Sequence, residues 1–172
     1  MPTSLRATPA VRDALLAHAY EGRRRDPSVE VCGVLGGERG GTGAGESDPA
    51  ANRASGTVTE ARRVPNVASA ARTRYELDPA ATMAALEELE ADGLAHLGFY
   101  HSHPHGPLAP SATDRDGAHW PGYVYAIVAP FDVADTSARD AGSEGDREGA
   151  IGAWLWTGDA FERLEVRVVE GR

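Results

Sequence analysis

A polar stretch, HSHPHGPLAPSATD at 101–114, follows the apolar run LGFY and carries several side chains that can bind a metal. His101 and His103 stand two residues apart, and side chains at that spacing on a strand point to the same face. Two imidazoles that converge on one point are typical ligands of zinc. The stretch therefore predicts a metal site where a strand ends.

Asp114 is a third candidate ligand, because the prolines after His103 end the strand and turn the chain back. Two imidazoles and one carboxylate leave a fourth tetrahedral position open, as in catalytic zinc sites. Structural zinc sites more often use cysteines, and Cys32 is the only cysteine in the chain. A second interpretation stays open, since Ser111 and Asp114 also have the spacing of a helix capping box.

The histidines need a strand before them and a turn or short helix after them, and the sequence predicts both. LAHLGFYHSH at 94–103 has the apolar character of a strand, and PSATDRDGAHW at 110–120 predicts a short helix or turn. Apolar periodicity and capping residues predict two longer helices, at 8–22 and 78–93. The other predicted strands lie at 28–37, 57–67, 122–130, 152–158 and 161–171.

These elements predict one α/β domain over residues 1–172, with a mixed or mostly antiparallel sheet and flanking helices. Two segments, 36–56 and 132–150, are rich in glycine, small and charged residues and contain almost no large apolar side chains. We expect both to be flexible insertions in the domain.

The composition disfavours several classes of function. The formal net charge is -9, which argues against nucleic-acid binding because neutralising phosphates requires a basic face. No stretch approaches the ~20 apolar residues of a membrane span, and the N-terminus has no apolar signal core. A single cysteine cannot form an intramolecular disulfide and fits a reducing compartment, so we expect a cytoplasmic protein.

The whole polar stretch is more specific than its parts. His-Ser-His-Pro, then six residues, then Ser-Ala-Thr-Asp resembles the motif of the JAMM (MPN-plus, JAB-domain) zinc metalloproteases. Glu30 in VEVCGVLGG matches the upstream strand glutamate of that family, and the similarity extends from the first predicted helix through Pro130. The resemblance implies a single MPN (JAB)-like α/β domain, whose mixed β-sheet is flanked by helices in a cytidine-deaminase-like layout.

The resemblance also implies a role for each matching residue. His101, His103 and Asp114 would be the zinc ligands, Glu30 the general acid/base, and Ser111 the residue that assists at the oxyanion. The residue types suit these roles independently. Zinc activates water and polarises a carbonyl, a nearby carboxylate moves the proton, and a hydroxyl donates to the developing negative charge.

The implied function is that of a zinc-dependent isopeptidase, which removes ubiquitin-like small modifier proteins from lysine conjugates or linear fusions. The short chain and acidic composition are most similar to the stand-alone archaeal desampylases of the family. Two alternatives stay open: a metallopeptidase that processes ubiquitin-fold sulfur-carrier proteins, and a non-catalytic scaffold of the same fold. Scaffold members usually lose the zinc ligands, which this chain retains. The sequence indicates no oligomeric state.

The partner implied is a modifier whose tail ends in Gly-Gly. Such a tail is extended, so we expect it to lie beside a strand and pair with it. Segment 36–56 follows the Glu30 strand, and we expect it to gate this groove. His105 and His119 flank the motif and are weaker candidates for contact with substrate or metal, whereas His18 and His96 are expected at packing or surface positions.

Overall fold

Most strands and helices lie close to their predicted positions, but the sequence predicts neither the first strand nor the second helix. The computed structural model describes residues 4–41, 48–130 and 149–170. Within these ranges the strands are β1 (Ser4–Ala7), β2 (Cys32–Glu38), β3 (Thr57–Val64), β4 (Ala95–Ser102), β5 (Val124–Ala129), β6 (Ala150–Trp156) and β7 (Phe161–Val168). The helices are α1 (Pro9–Arg24), α2 (Pro49–Ala54), α3 (Pro79–Ala91) and α4 (Ala112–Gly117).

The described strands form a closed mixed sheet in the order β1-β3-β2-β4-β5-β6-β7, and β7 pairs with β1 to complete the ring. β1 is parallel to both neighbours and β4 is parallel to β5, whereas the other pairs are antiparallel. A mixed sheet with helices packed on it confirms the predicted α/β class. The closure is not predictable from the sequence, because a four-residue strand such as β1 is too short for a reliable periodicity.

Capping residues begin the two long helices where the sequence predicts them. The Thr8 side chain accepts a hydrogen bond from Val11 N at 3.3 Å at the start of α1. The Asp78 side chain accepts one from Ala81 N at 2.8 Å at the start of α3. A proline follows each cap, where its missing N–H removes no helical hydrogen bond. None of the helices in the described ranges has the length and apolar character needed to cross a membrane.

Apolar side chains cover both faces of the sheet, so β5 is buried along its whole length. On one face α1 packs against a core that includes Tyr100 and Val128. On the other face α3 contributes Leu89 to a core that includes Phe99. Because side chains alternate along a strand, His101 shares a face with Phe99 and therefore lies on the α3 side of the sheet.

β2 begins later than predicted. The sequence predicts a strand over 28–37, whereas the regular strand starts at Cys32. Val31 still contacts β4, because its carbonyl accepts from Ser102 N at 2.9 Å while its N–H donates to Ser102 Oγ at 2.9 Å. The Ser102 hydroxyl thus replaces the main-chain carbonyl that would accept from Val31 N in a regular strand pair. Glu30 lies just before the regular strand.

Segment 36–56 contains regular structure, which differs from the predicted flexible insertion. β2 extends to Glu38, and α2 begins after Asp48, whose side chain accepts from Ala50 N at 3.1 Å. Composition misses this helix because its alanines favour helix formation without adding large apolar side chains. Residues 42–47 lie outside the described ranges, as does nearly all of the other insertion at 132–150, so flexibility there stays a prediction.

Candidate functional site

The end of β4 brings His101 and His103 together. Their Nε2 atoms are 3.1 Å apart, and both side chains are buried. The intervening Ser102 points to the other side, where its hydroxyl accepts from Val31 N. The predicted convergence of the two imidazoles is therefore present, and alternation along the strand is its cause.

Asp114 approaches the two histidines from α4. Its Oδ1 lies 3.2 Å from His101 Nε2, and its Oδ2 lies 3.1 Å from His103 Nε2. The same carboxylate caps α4, because Asp114 Oδ2 accepts from Ser111 N at 2.8 Å while Asp114 N donates to Ser111 Oγ at 3.0 Å. The capping box is thus confirmed, and it aims the carboxylate at the imidazoles instead of excluding contact with them.

Glu30 lies beside the histidines because of the strand register. Cys32 is opposite His101 in the antiparallel pair of β2 and β4. Continuing that register by two residues places Glu30 opposite His103, on the same face. Glu30 is buried, and a carboxylate oxygen of Glu30 and a ring nitrogen of each histidine lie within 4.8 Å of one another. These three residues form a group that can hold a metal ion.

The positions of the ring hydrogens favour a cation at this point. His103 Nδ1 is 2.7 Å from Pro107 O, and a carbonyl oxygen only accepts, so Nδ1 carries the hydrogen. In the neutral ring His103 Nε2 is then a bare acceptor, yet it faces an oxygen of Asp114, which also only accepts. Either a proton on His103 Nε2 or a metal ion satisfies these acceptors. Burial opposes the proton, but the contact with Asp114 outweighs it and raises the pKa of His103. A second-sphere carbonyl such as Pro107 O is also the kind of partner that orients ligand histidines.

Burial and charge shift the pKa values of the group in different directions. Burial raises the pKa of Glu30 to about 7, with the His103 charge opposing and the Asp114 charge reinforcing the shift. Burial opposes ionisation of Asp114, but hydrogen bonds with both imidazoles and the Ser111 amide outweigh it and hold its pKa below the usual value. Burial lowers the pKa of His101, which favours the neutral form that binds metals.

Ser111 can use its hydroxyl hydrogen on a substrate. Its Oγ accepts from Asp114 N, so the hydroxyl hydrogen is not used in the capping box. The residue itself is exposed, at the first turn of α4 and next to the buried Asp114. This arrangement is compatible with the oxyanion role that the sequence predicts for Ser111.

Sequence reasoning misses Tyr75, which covers His101. The two rings stack with centroids 4.2 Å apart and planes 18° apart. His101 Nδ1 has no hydrogen-bond partner among the described residues, so the stacking on Tyr75 and the contact of Nε2 with Asp114 orient this ring. The sequence offers little signal for this contact, because Tyr75 lies in an irregular segment with no spacing relation to the histidines.

A cavity of about 480 Å³ adjoins the group. Asp114 contributes to its wall together with aromatic side chains of several elements, which are Tyr75, Phe99, Trp120 and Tyr125. Residues 68–69 and 74–77 form one side of it, and residues 113–120 form another. The cavity therefore gives an extended chain a place to lie against the candidate metal centre.

The described part of segment 36–56, residues 36–41 and 48–56, does not line this cavity. The reason is the direction of β2, since Cys32 is opposite His101 whereas Gly37 is opposite Ala95 at the far end of β4. Residues of the segment after β3 line the cavity instead. Gating by segment 36–56 stays a prediction.

His18 and His96 are structural, as expected. His18 Nδ1 lies 2.8 Å from Tyr100 OH on the α1 side of the sheet. His96 packs among aromatic rings that include Phe99 and Tyr123. Burial lowers the pKa of each imidazole to about 4, so both are neutral at physiological pH.

The two histidines that flank the motif lie near the group. His119 lines the cavity. His105 Nε2 lies 3.0 Å from Ser28 Oγ, which links the loop after β4 to the segment that carries Glu30. Cys32 is fully buried, and burial raises the pKa of its thiol to about 12, so it is not a nucleophile.

The chain is similar in sequence to a known family and to several known proteins. The family model described as prokaryotic homologs of the JAB domain matches residues 9–141. A protein named desampylase from Haloferax volcanii is 45% identical over 157 residues, which cover 91% of this chain and 91% of that protein. A protein named desampylase from Pyrococcus furiosus is 35% identical over 59% of this chain and 60% of its own length. A probable TtuB-protein conjugate cleaving protease from Thermus thermophilus is 47% identical over 33% of this chain and 38% of its own.

Solved structures agree on the fold. The solution structure of a Desulfitobacterium hafniense protein superposes with a TM-score of 0.71 at 23% identity, covering 97% of this chain and 94% of that one. A Salinibacter ruber protein gives a TM-score of 0.58 at 29% identity, covering 95% and 91%. With a family model that matches most of the chain and a relative 45% identical over nine tenths of it, the resemblance seen in the polar stretch is confirmed, and the chain belongs to the prokaryotic homologs of the JAB domain.

Proposed function

We propose that the chain is a metal-dependent isopeptidase, which releases ubiquitin-like small modifier proteins from lysine conjugates or linear fusions. The observation that carries the proposal is the buried convergence of Glu30 with His101, His103 and Asp114. The similarity to the Haloferax volcanii desampylase over 91% of the chain supports the substrate class. A non-catalytic scaffold is disfavoured, because it needs neither the ligand set nor a free buried carboxylate.

Zinc is the metal that suits these donors, since two imidazoles and one carboxylate are common ligands of catalytic zinc. His101, His103 and Asp114 would hold the ion, with His103 oriented by the Pro107 carbonyl. When bound, zinc would polarise the scissile carbonyl and acidify a water molecule. Asp114 is fixed by its capping box before the ion arrives, so little reorganisation is needed to bind it.

Glu30 is suited to move the proton. Burial raises its pKa to about 7, which is close to the pH at which a general acid/base is most effective. Its Oε1 has no hydrogen-bond partner among the described residues and is therefore available to take a proton from the attacking water. The protonated carboxyl then passes that proton to the departing lysine amine.

The cavity beside Asp114 supports a modifier tail as the recognised part of the substrate. An extended Gly-Gly tail is narrow and can pass between residues 74–77 and 113–117 to bring its last carbonyl to the metal centre. Ser111, at the start of α4, would donate its hydroxyl hydrogen to the carbonyl oxygen as negative charge develops.

Cleavage of two matched substrates tests the function. One is a ubiquitin-fold modifier joined through its Gly-Gly tail to a lysine side chain, and the other is the same modifier as a linear fusion. We expect the isopeptide bond to be cleaved, chelation of the metal to abolish the reaction, and added zinc to restore it. Cleavage of a sulfur-carrier fusion with no reaction of the lysine conjugate would favour the alternative processing function. If the zinc-loaded protein cleaves none of these substrates, the sulfur-carrier fusion included, both functions are contradicted.

A further inference from the structure

The segment that follows β3 forms hydrogen bonds with both the N–H and the carbonyl group of Glu30. Glu30 N donates to Ala71 O at 2.7 Å, and Glu30 O accepts from Asn66 Nδ2 at 2.9 Å. Residue 30 lies just outside the regular part of β2, so these two bonds replace the ladder bonds that would otherwise fix it. The position of the Glu30 main chain therefore depends on segment 66–77.

The side-chain amide of Asn66 forms hydrogen bonds with several main-chain groups of this segment. Its Nδ2 also donates to Arg74 O at 3.1 Å. Its Oδ1 accepts from Ala68 N at 3.0 Å and from Glu76 N at 2.9 Å. Two donors and two acceptors are thus all used on main-chain groups, which is the full hydrogen-bonding capacity of an amide. No other natural side chain of this size offers the same set.

Segment 66–77 also carries the other contacts of the site. Tyr75 stacks on His101, and residues 68–69 and 74–77 form one side of the cavity. A single amide therefore links three features: the main chain of Glu30, the ring that orients His101, and the wall of the cavity. Asn66 itself is not among the residues that line the cavity, so it acts through its neighbours.

We propose that Asn66 is a positioning residue, which sets the Glu30 carboxylate against the two histidines. The inference rests on the proposed function, in which Glu30 moves the proton. Glu30 Oε1 has no hydrogen-bond partner in the described part of the chain, so the main chain and surrounding packing determine where the carboxylate points. Ser102 holds the adjacent Val31 independently, so losing Asn66 displaces Glu30 without releasing the strand.

The test combines variants of both residues in the zinc-loaded protein. Asn66→Ser removes the amide without adding charge, and Asn66→Asp keeps the size but replaces the donor by an acceptor. Asn52→Asp is the matched control, because it makes the same chemical change at a half-buried position of α2 outside the site. Single-turnover rates, KM, zinc content and the unfolding midpoint are measured for each variant, alone and combined with Glu30→Gln.

We expect Asn66→Ser to lower kcat by roughly 10- to 100-fold, the range that a small misplacement of a catalytic group causes. Zinc content should be unchanged, and the control should keep its kcat even if its unfolding midpoint falls. In the Glu30→Gln background, Asn66→Ser should lower the rate no further, because the group it positions is already lost. Asn66→Asp should show the same pattern, and it supplies a second case if one variant folds poorly.

Two results would overturn the inference in distinguishable ways. If Asn66→Ser lowers the rate by the same factor with and without Glu30, the two residues act independently, and the inference fails while the proposed function stands. If Glu30→Gln alone keeps the wild-type rate, the proposed role of Glu30 fails and the inference fails with it.

Discussion

The carboxylate of Asp114 serves two partners at once, a helix N-terminus and a pair of imidazoles. Asp114→Asn separates these roles, because an amide oxygen can still accept from Ser111 N but carries no charge for a metal. We expect the variant to lose metal and cleavage while its metal-free form loses at most about 1 kcal/mol of unfolding free energy, a usual limit for a weakened cap. Metal content and denaturant unfolding on one preparation check this. Retention of both metal and turnover would leave Asp114 a capping residue only.

Ser111 combines an observed capping contact with a proposed catalytic role. Ser111→Ala removes the hydroxyl that accepts from Asp114 N and that would donate to the oxyanion. We expect kcat to fall by about 10²–10³-fold, with metal retained and stability reduced by about 1 kcal/mol. Thr8→Ala is the matched control, since it removes the cap of α1 far from the site. Equal kcat losses in the two variants would show that loss of a cap, and not of an oxyanion donor, explains the effect.

Residues whose position at the site follows from local sequence spacing are predictable from the sequence. Residues whose position depends on contacts with distant main-chain groups are not. The pair His101 and His103 follows from strand alternation, and Asp114 from the spacing of a capping box. Asn66 gives no such signal, because all its partners are main-chain groups, which every residue has. Tyr75 meets His101 only once the irregular segment has folded over β4.

At the scale of elements, the cavity lies between the segment after β3 and the residues in and beyond α4. On the proposed function, a modifier tail would pass between them to reach Asp114, and we expect its last two residues to have to be small. We expect replacement of the Gly-Gly tail by two leucines to lower kcat/KM by at least roughly 10²-fold, because a misplaced carbonyl is not oriented for attack. Equal turnover of both tails would mean that the tail takes another path.

The strands that position the site are well predicted, whereas their pairing is not. The sequence locates β4 and the region of β2, but pairing alone decides which end of β2 meets the histidines. The antiparallel register puts Cys32 beside His101, so Gly36 and Gly37 lie at the opposite end of β4. Strand order and direction are long-range properties that a single-sequence pattern does not contain.

At the scale of the whole molecule, two half-buried neutral histidines make stability depend on pH. Burial lowers the pKa of His18 and of His96 from 6.5 to about 4 in the folded chain. Between these values the unfolded chain binds more protons, so the free energy of unfolding decreases as pH falls through this window. We expect His96→Phe to flatten this dependence between about pH 6.5 and pH 4. Unfolding midpoints measured across that range check this, and a pH dependence in His96→Phe as steep as in the wild type would contradict the prediction.

The closure of the sheet is not predictable from the sequence. Its closure depends on β1, which pairs in parallel with β7 from the other end of the chain. The individual strands are predictable because their apolar residues repeat locally, but a pair between distant short segments leaves no local pattern. Sequence reasoning therefore reaches the α/β class, but not the closed sheet.

Glu30→Gln is the sharpest test of the proposed mechanism, because it removes the acid/base group and keeps the size of the side chain. We expect the variant to fold, to bind the same amount of zinc as the wild type, and to cleave a lysine-linked modifier roughly 10²–10⁴-fold more slowly, the usual contribution of a general acid/base. Zinc content and turnover are measured on the same preparation. Cleavage at nearly the wild-type rate would remove Glu30 from the mechanism, and loss of zinc would make it a ligand in the group that it forms with His101 and His103.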